Sequence, residues 1–142
     1  MSRVYLSIEQ VEELLPEVER RLRTLIFLDE EIRLLSDLKI KNIGQEFEDY
    51  MLVLNMKQQY HEKLSVFYQE LLELTKKGCV IKDLKKGLVD FYSKRGETDI
   101  FLCWRLGERG IKYWHDPYTG YTNRQPVEVL KAEYEREIRR FK

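Results

Sequence analysis

Long apolar runs are missing from this sequence. Strongly apolar stretches such as Leu25–Leu28 and Met51–Leu54 are four residues each, far below the roughly 20 that a bilayer-spanning helix requires. The first residues reach Glu9 without an apolar signal core, so the expectation is a cytoplasmic protein with no membrane association. Cysteine is scarce: Cys79 and Cys103 lack CxxC spacing and read as reduced thiols. The two histidines, His61 and His115, are too few for a His-rich metal site. There is no Gly-rich phosphate loop, no HExxH and no GxSxG, which leaves nucleotide-driven, zincin and serine-hydrolase chemistry without their signals.

What is present is a chain of 142 residues, 43% hydrophobic and 35% charged. That is too apolar for disorder and long enough to bury one core without disulfides, so a single domain is expected over 1–142. The formal net charge of zero hides a segregation. Residues 1–75 carry 9 basic and 15 acidic side chains, a net of −6, and residues 76–142 carry 16 and 10, a net of +6. A basic second half attracts anions if its charges share a surface; otherwise the halves neutralise each other within the fold or across a dimer.

Ser7 followed by Gln10 is a capping-box signature and starts a helix at Ile8. Pro16 suits the first position of a helix better than an interior one, so residues 8–14 and 16–39 read as two helices or one kinked helix, ended by Asn42-Ile43-Gly44. Over 45–76, Tyr50, Val53, Lys57, Tyr60, Leu64, Phe67, Leu71 and Leu74 recur three and four apart, a coiled-coil seam that only Lys57 breaks. Gly78 stops it. These two helices predict an antiparallel hairpin over 1–77. Leu25–Leu28 and Met51–Leu54 are apolar around most of the circumference and need a further surface, which favours a homodimer across a two-fold axis.

After Gly78, residues 78–125 are β-rich and punctuated by glycine: strands are expected at 79–83, 88–93, 99–105 and 111–116, forming a small antiparallel sheet with a loop at 117–125. A C-terminal amphipathic helix opens at Pro126 and occupies 126–142. The fold class is therefore α+β. With 106–110 as a hairpin loop, Cys103 faces Tyr113 and Phe101 faces His115. Val89, Phe91, Ile100, Leu102, Trp104 and Trp114 then form the core face, while Asp90, Tyr92, Phe101, Cys103, Arg105, Tyr113 and His115 form the other.

Polar groups gathered on one sheet face must satisfy one another or bind something. One reading is purely structural: an Asp90–Arg105 ion pair, His115 donating to a carbonyl and Cys103 packed as a small hydrophobe. The other is a pocket for a small anionic ligand or a divalent metal ion. Its ligand-binding residues would be Asp90, Arg105, Glu108, His115 and Arg124, and its metal ligands His115, Asp90 and Glu108, with Cys103 as a further donor in a mixed site. No catalytic residue is assigned. A non-enzymatic interaction protein working through the helical hairpin is the alternative. Nucleic-acid binding by Lys82, Lys85, Lys86, Lys94 and Arg95 is disfavoured because no RNA-binding fingerprint accompanies them.

The run Lys82-Asp83, Gly87-Leu88-Val89-Asp90-Phe91, Leu102-Cys103-Trp104-Arg105, Gly107-Glu108, Ile111, Tyr113-Trp114-His115, Gly120 and Arg124 resembles domain-of-unknown-function family 2203, small uncharacterised prokaryotic proteins. Ser7-Ile8-Glu9-Gln10-Val11 through Leu14-Leu15-Pro16 is similar to that family's opening helix. This chain departs from the family pattern at Tyr92, where Pro is favoured, at Asp116, where Glu is favoured, and at Asn123-Arg124, where Gly-Arg is favoured. The resemblance implies the element order and directs attention to Asp90, Cys103, Trp104, Arg105, Glu108, Trp114, His115 and Arg124. It implies no particular reaction.

Overall fold

Ser7 and Gln10 open the first helix by exchanging hydrogen bonds: Gln10 N donates to Ser7 Oγ at 3.1 Å, and Ser7 N donates to Gln10 Oε1 at 2.9 Å. The structure, a computed structural model, describes residues 3–41, 47–118 and 123–140. Helix α1 runs without interruption from Ile8 to Lys41 with Pro16 inside it. Of the two readings at Pro16, two helices or one kinked helix, the single helix is the one found. A proline there removes one hydrogen bond, but Val11, Leu15, Val18, Leu22 and Leu25 form a buried stripe across it, and that packing holds both sides to one surface.

Helix α2 runs from Phe47 to Lys76. The turn expected at Asn42-Ile43-Gly44 lies outside the described residues. The two helices are ~51 and ~45 Å long at 1.5 Å per residue. They pack side by side, tied by Arg21 Nη1 to Glu70 Oε2 at 2.9 Å, Lys77 Nζ to Glu17 Oε2 at 3.3 Å and Lys63 Nζ to Glu31 Oε2 at 3.5 Å. The α2 seam is only partly sheltered: Leu74 is buried, Val53, Tyr60, Leu64, Phe67 and Leu71 are half-buried, and Tyr50 and Lys57 are exposed. No described residue of 29–38 or 50–73 is buried, so the core belongs to the sheet end of the hairpin.

Gly78 ends α2 with φ 92°, and a Cβ there would lie 3.0 Å from Val4 Cβ, so the strap leading into α1 crosses directly over the turn. The chain then forms strands β1 (Cys79–Asp83), β2 (Leu88–Arg95), β3 (Thr98–Arg105), β4 (Tyr113–His115) and β5 (Gln125–Pro126), followed by helix α3 (Glu128–Arg140). The strands pair antiparallel in simple sequence order. Val89, Phe91, Ile100, Leu102, Trp104 and Trp114 are all buried in the core shared with α1, as alternation requires.

The C-terminal elements depart most from expectation. The strand expected over 111–116 shortens to Tyr113–His115, although Ile111 stays buried in the core. β5 is an addition: two exposed residues carry no periodicity to detect, yet Pro126 pairs with Tyr113 and Gln125 with Trp114. Helix α3 starts at Glu128 rather than Pro126 because Val127 N still donates to Lys112 O, at 3.0 Å, and remains tied to the sheet.

Candidate functional site

The face of the sheet turned away from the core is built by three neighbouring strands. Asp90 stands on β2 directly opposite Cys103 on β3, and Cys103 stands opposite Tyr113 on β4. His115 is opposite Phe101, two residues along the same face, so its ring reaches diagonally over β3. His115 Nε2 lies 3.1 Å from Asp90 Oδ2. The donor atoms of Asp90, Cys103 and His115 all fall within 4.8 Å of one another. Asp90 is 4%, Cys103 3% and His115 4% exposed.

The other ring nitrogen fixes the proton inventory. His115 Nδ1 is 2.7 Å from the carbonyl oxygen of Asp116. A carbonyl only accepts, so Nδ1 carries a hydrogen and Nε2 is the nitrogen turned toward Asp90 and Cys103. One proton then serves the Nε2–Oδ2 contact, on the imidazole or on the carboxyl. Burial raises the Asp90 carboxyl above its ordinary value, against the opposing pull of His115, the Cys103 thiol and Lys82.

Burial also pushes the Cys103 thiol far up, and the Asp90 charge adds to it, while Arg124 works the other way. A thiol in that state is neutral near pH 7 and gives a nucleophilic reading no support. Cys79, buried on the core side, is likewise pushed up to about 12. Cations and aromatic rings edge the cluster. Lys82, in the β1 bulge between Ile81 and Asp83, puts its Nζ 4.9 Å from the Phe101 ring centre. The Arg124 guanidinium lies 4.2 Å from the Tyr113 ring centre. Tyr92 packs against Phe101 with ring centres 4.4 Å apart and planes tilted by 46°.

Of the residues singled out from sequence, Asp90 and His115 come together with Cys103, and Arg124 stands close enough to influence the Cys103 thiol. Arg105 shares the face but is exposed at the end of β3. The expected Asp90–Arg105 pairing is replaced by Asp90–His115. The Glu108 carboxylate turns back to accept from Arg105 N at 2.8 Å, while the Glu108 carbonyl accepts from Trp104 Nε1 at 3.1 Å, so this residue fastens the β3–β4 turn. Lys82 joins the site unforeseen; its place beside Lys85 and Lys86 made it look like part of a basic run, and only the pairing of β1 with β2 reveals its face.

Among the described residues no helix is long and apolar enough to cross a membrane. No curated protein and no solved structure matches the chain. The model of one protein family does, over residues 4–127, which takes in the helical hairpin, the sheet and every residue of the cluster. By that match the chain belongs to DUF2203, described as an uncharacterized conserved protein family.

Proposed function

We propose that this protein binds a divalent transition-metal ion on the outer face of its sheet, with Asp90, Cys103 and His115 as ligands and a small anion or water as the fourth. The observation that carries the reading is the convergence of three chemically different, buried donors within 4.8 Å. Tetrahedral zinc bonds of about 2.0–2.3 Å place neighbouring donors about 3.3–3.8 Å apart, and the His115–Asp90 contact of 3.1 Å is close to that edge. Thiolate, imidazole and carboxylate together suit zinc better than magnesium or calcium. His115 has the arrangement that metal-binding imidazoles use, one nitrogen held by a carbonyl and the other directed at the site. A bound dication would supply the charge that the Cys103 thiol needs in order to ionise.

In this reading Cys103 takes the third ligand position, Glu108 braces the adjoining turn, and Lys82 and Arg124 favour an anionic fourth ligand. Cobalt(II) titration of protein stripped with chelator tests it. The expected result is a one-to-one complex with a thiolate-to-cobalt absorption band that Cys103→Ser removes and His115→Ala weakens. Absence of the band, with no effect of zinc on the melting temperature, overturns the proposal.

A second reading concerns the hairpin, as a surface for self-association into a homodimer. The observation that favours it is that residues 29–38 and 50–73 include no buried side chain, while Phe27, Leu34, Tyr50, Leu52 and Tyr68 are each more than half exposed. Light scattering of the untagged protein reads it directly; a stable monomer at working concentration would exclude it.

A further inference from the structure

Between the start of α1 and helix α3 lies a cleft of about 270 Å³, over the end of β2. Its α3 wall is fixed to the sheet: Val127 N donates to Lys112 O at 3.0 Å, and Arg95 Nη2 donates to Glu133 Oε1 at 2.7 Å. Ser93 contributes to the lining from β2. It follows Phe91 by two on the core face, so it lies on the opposite side of the sheet from Asp90, and it is 7% exposed. The Ser93 hydroxyl has no hydrogen-bond partner among the described residues. Buried polar groups are seldom left unmatched, so a hydroxyl in this state, on the wall of a cleft, calls for a ligand.

The charges around the cleft indicate which kind. Glu9 and Glu12 come from α1 and Glu135 from α3, and none of the three has an ion-pair partner among the described residues. Glu12 is seated against a glycine: a Cβ at Gly110 would lie 2.5 Å from Glu12 Oε2, so the missing side chain makes room for the carboxylate. Of the two lysines on the lining, Lys94 is engaged by Asp99. Lys131 alone then stands against three carboxylates, which leaves two negative charges unmatched. The N-terminus of α1 offers an anion little, because Ser7 and Gln10 already cap it and Glu9 occupies its first turn. Nor do these carboxylates converge on a metal ion: among the described residues only Asp90, Cys103 and His115 bring three donors together.

We propose that this cleft binds a short aliphatic diamine. One ammonium donates to the Ser93 hydroxyl oxygen, and the carboxylates of α1 and α3 match the two positive charges. The methylene chain lies along Ile8 and the buried Leu130, and the exposed Tyr134 ring offers its face to a cation. The volume falls below the roughly 300–1,000 Å³ of sites for drug-sized ligands, which suits a molecule of this size. The site shares no residue with the Asp90–Cys103–His115 cluster and stands or falls independently of the metal reading.

Calorimetric titration of the full-length protein with cadaverine, pentanol and inorganic phosphate, at constant ionic strength, tests it. The expected result is saturable one-to-one binding of cadaverine and none of pentanol or phosphate. Ser93→Ala removes a hydroxyl without a partner, so it should keep the parent melting temperature while weakening cadaverine by about tenfold. Glu12→Gln should weaken it at least as much, whereas Glu13→Gln, which removes the same charge from α1 outside the cleft, should change nothing. N-acetyl-lysine methylamide presents an ammonium on a methylene chain as a protein side chain would; weaker binding than cadaverine supports the free diamine, and tighter binding overturns it in favour of a lysine side chain. Absence of cadaverine binding, binding of phosphate in its place, or equal losses in Glu12→Gln and Glu13→Gln overturns the inference. A lowered melting temperature of Ser93→Ala would assign the hydroxyl to the fold and overturn it as well.

Discussion

Asp90 and His115 touch across an intervening strand, Nε2 to Oδ2 at 3.1 Å, with Cys103 of that strand beside the contact. Both side chains are about 5% exposed, so neither has water to fall back on. Removing one partner of such a pair leaves the other buried and unmatched, which costs about 3–5 kcal/mol, whereas replacing both with apolar groups is neutral or stabilising. The expected outcome for metal-free protein is a large loss of stability for Asp90→Leu and recovery of most of it in Asp90→Leu with His115→Phe. Urea unfolding of the four proteins in the cycle measures the coupling; equal losses that simply add would contradict the pairing.

Thiol accessibility offers an independent check on the same face. Cys79 and Cys103 are 3% exposed and both are held in their neutral form by burial. Native protein at pH 7.5 should consume almost no Ellman's reagent over minutes, and two equivalents after denaturation. Rapid reaction of Cys103 in the folded protein would mean that the face opens far more readily than its packing indicates.

The strap before α1 is anchored electrostatically. Arg3 Nη1 and Tyr5 Oη each reach Asp99 Oδ2 at 3.0 Å, and Lys94 Nζ reaches Asp99 Oδ1. The Lys94 hydrogen bond is the largest influence and lowers the Asp99 carboxyl; burial opposes it, and the Tyr5 hydrogen bond adds to the lowering. A carboxyl lowered on folding contributes stability above its unfolded value of about 3.9 and loses that contribution as pH falls through the folded value. Asp99→Asn should therefore be less stable than the parent at neutral pH and converge with it once the pH has fallen below the folded value. A gap that persists at that pH would assign the effect to something other than the charge.

Two glycines in the left-handed region should respond differently to alanine. Gly87 has φ 67°, and a Cβ there would lie 2.5 Å from Leu106 Cβ, where Leu106 N also donates to Gly87 O at 2.9 Å. Gly96 has φ 61° and open space around it. Alanine at either site incurs a backbone penalty of about 1–2 kcal/mol, and at Gly87 a steric clash is added. Gly87→Ala should thus unfold at a lower urea midpoint than Gly96→Ala; the reverse order would disprove the close approach of the β1–β2 and β3–β4 turns.

The sheet register could be read from sequence because 106–110 as the loop sets Cys103 opposite Tyr113, and that register brings Trp104 and Trp114 to the core face together. The capping box at Ser7 and Gln10 was legible for a similar reason, being local and reciprocal. Pro16 left two helices and one kinked helix both open, because the benefit of one stripe from Val11 to Leu25 that outweighs its local penalty is something no local rule reports. Within the site, Asp90 and His115 announced themselves as polar residues on a shared face. Cys103 did not outrank Glu108 as a metal donor, because the inward turn of Glu108 onto Arg105 N depends on loop geometry that spacing does not encode.

The two-residue strand β5 has a consequence for how this sheet meets other chains. It forms one edge of the sheet, and its second residue is Pro126, which has no N–H to offer. An incoming strand would find a ladder two residues long with one donor missing, too little to template further pairing. Edge-to-edge aggregation is thereby blocked on that side by the shortness of the edge together with a single imino acid.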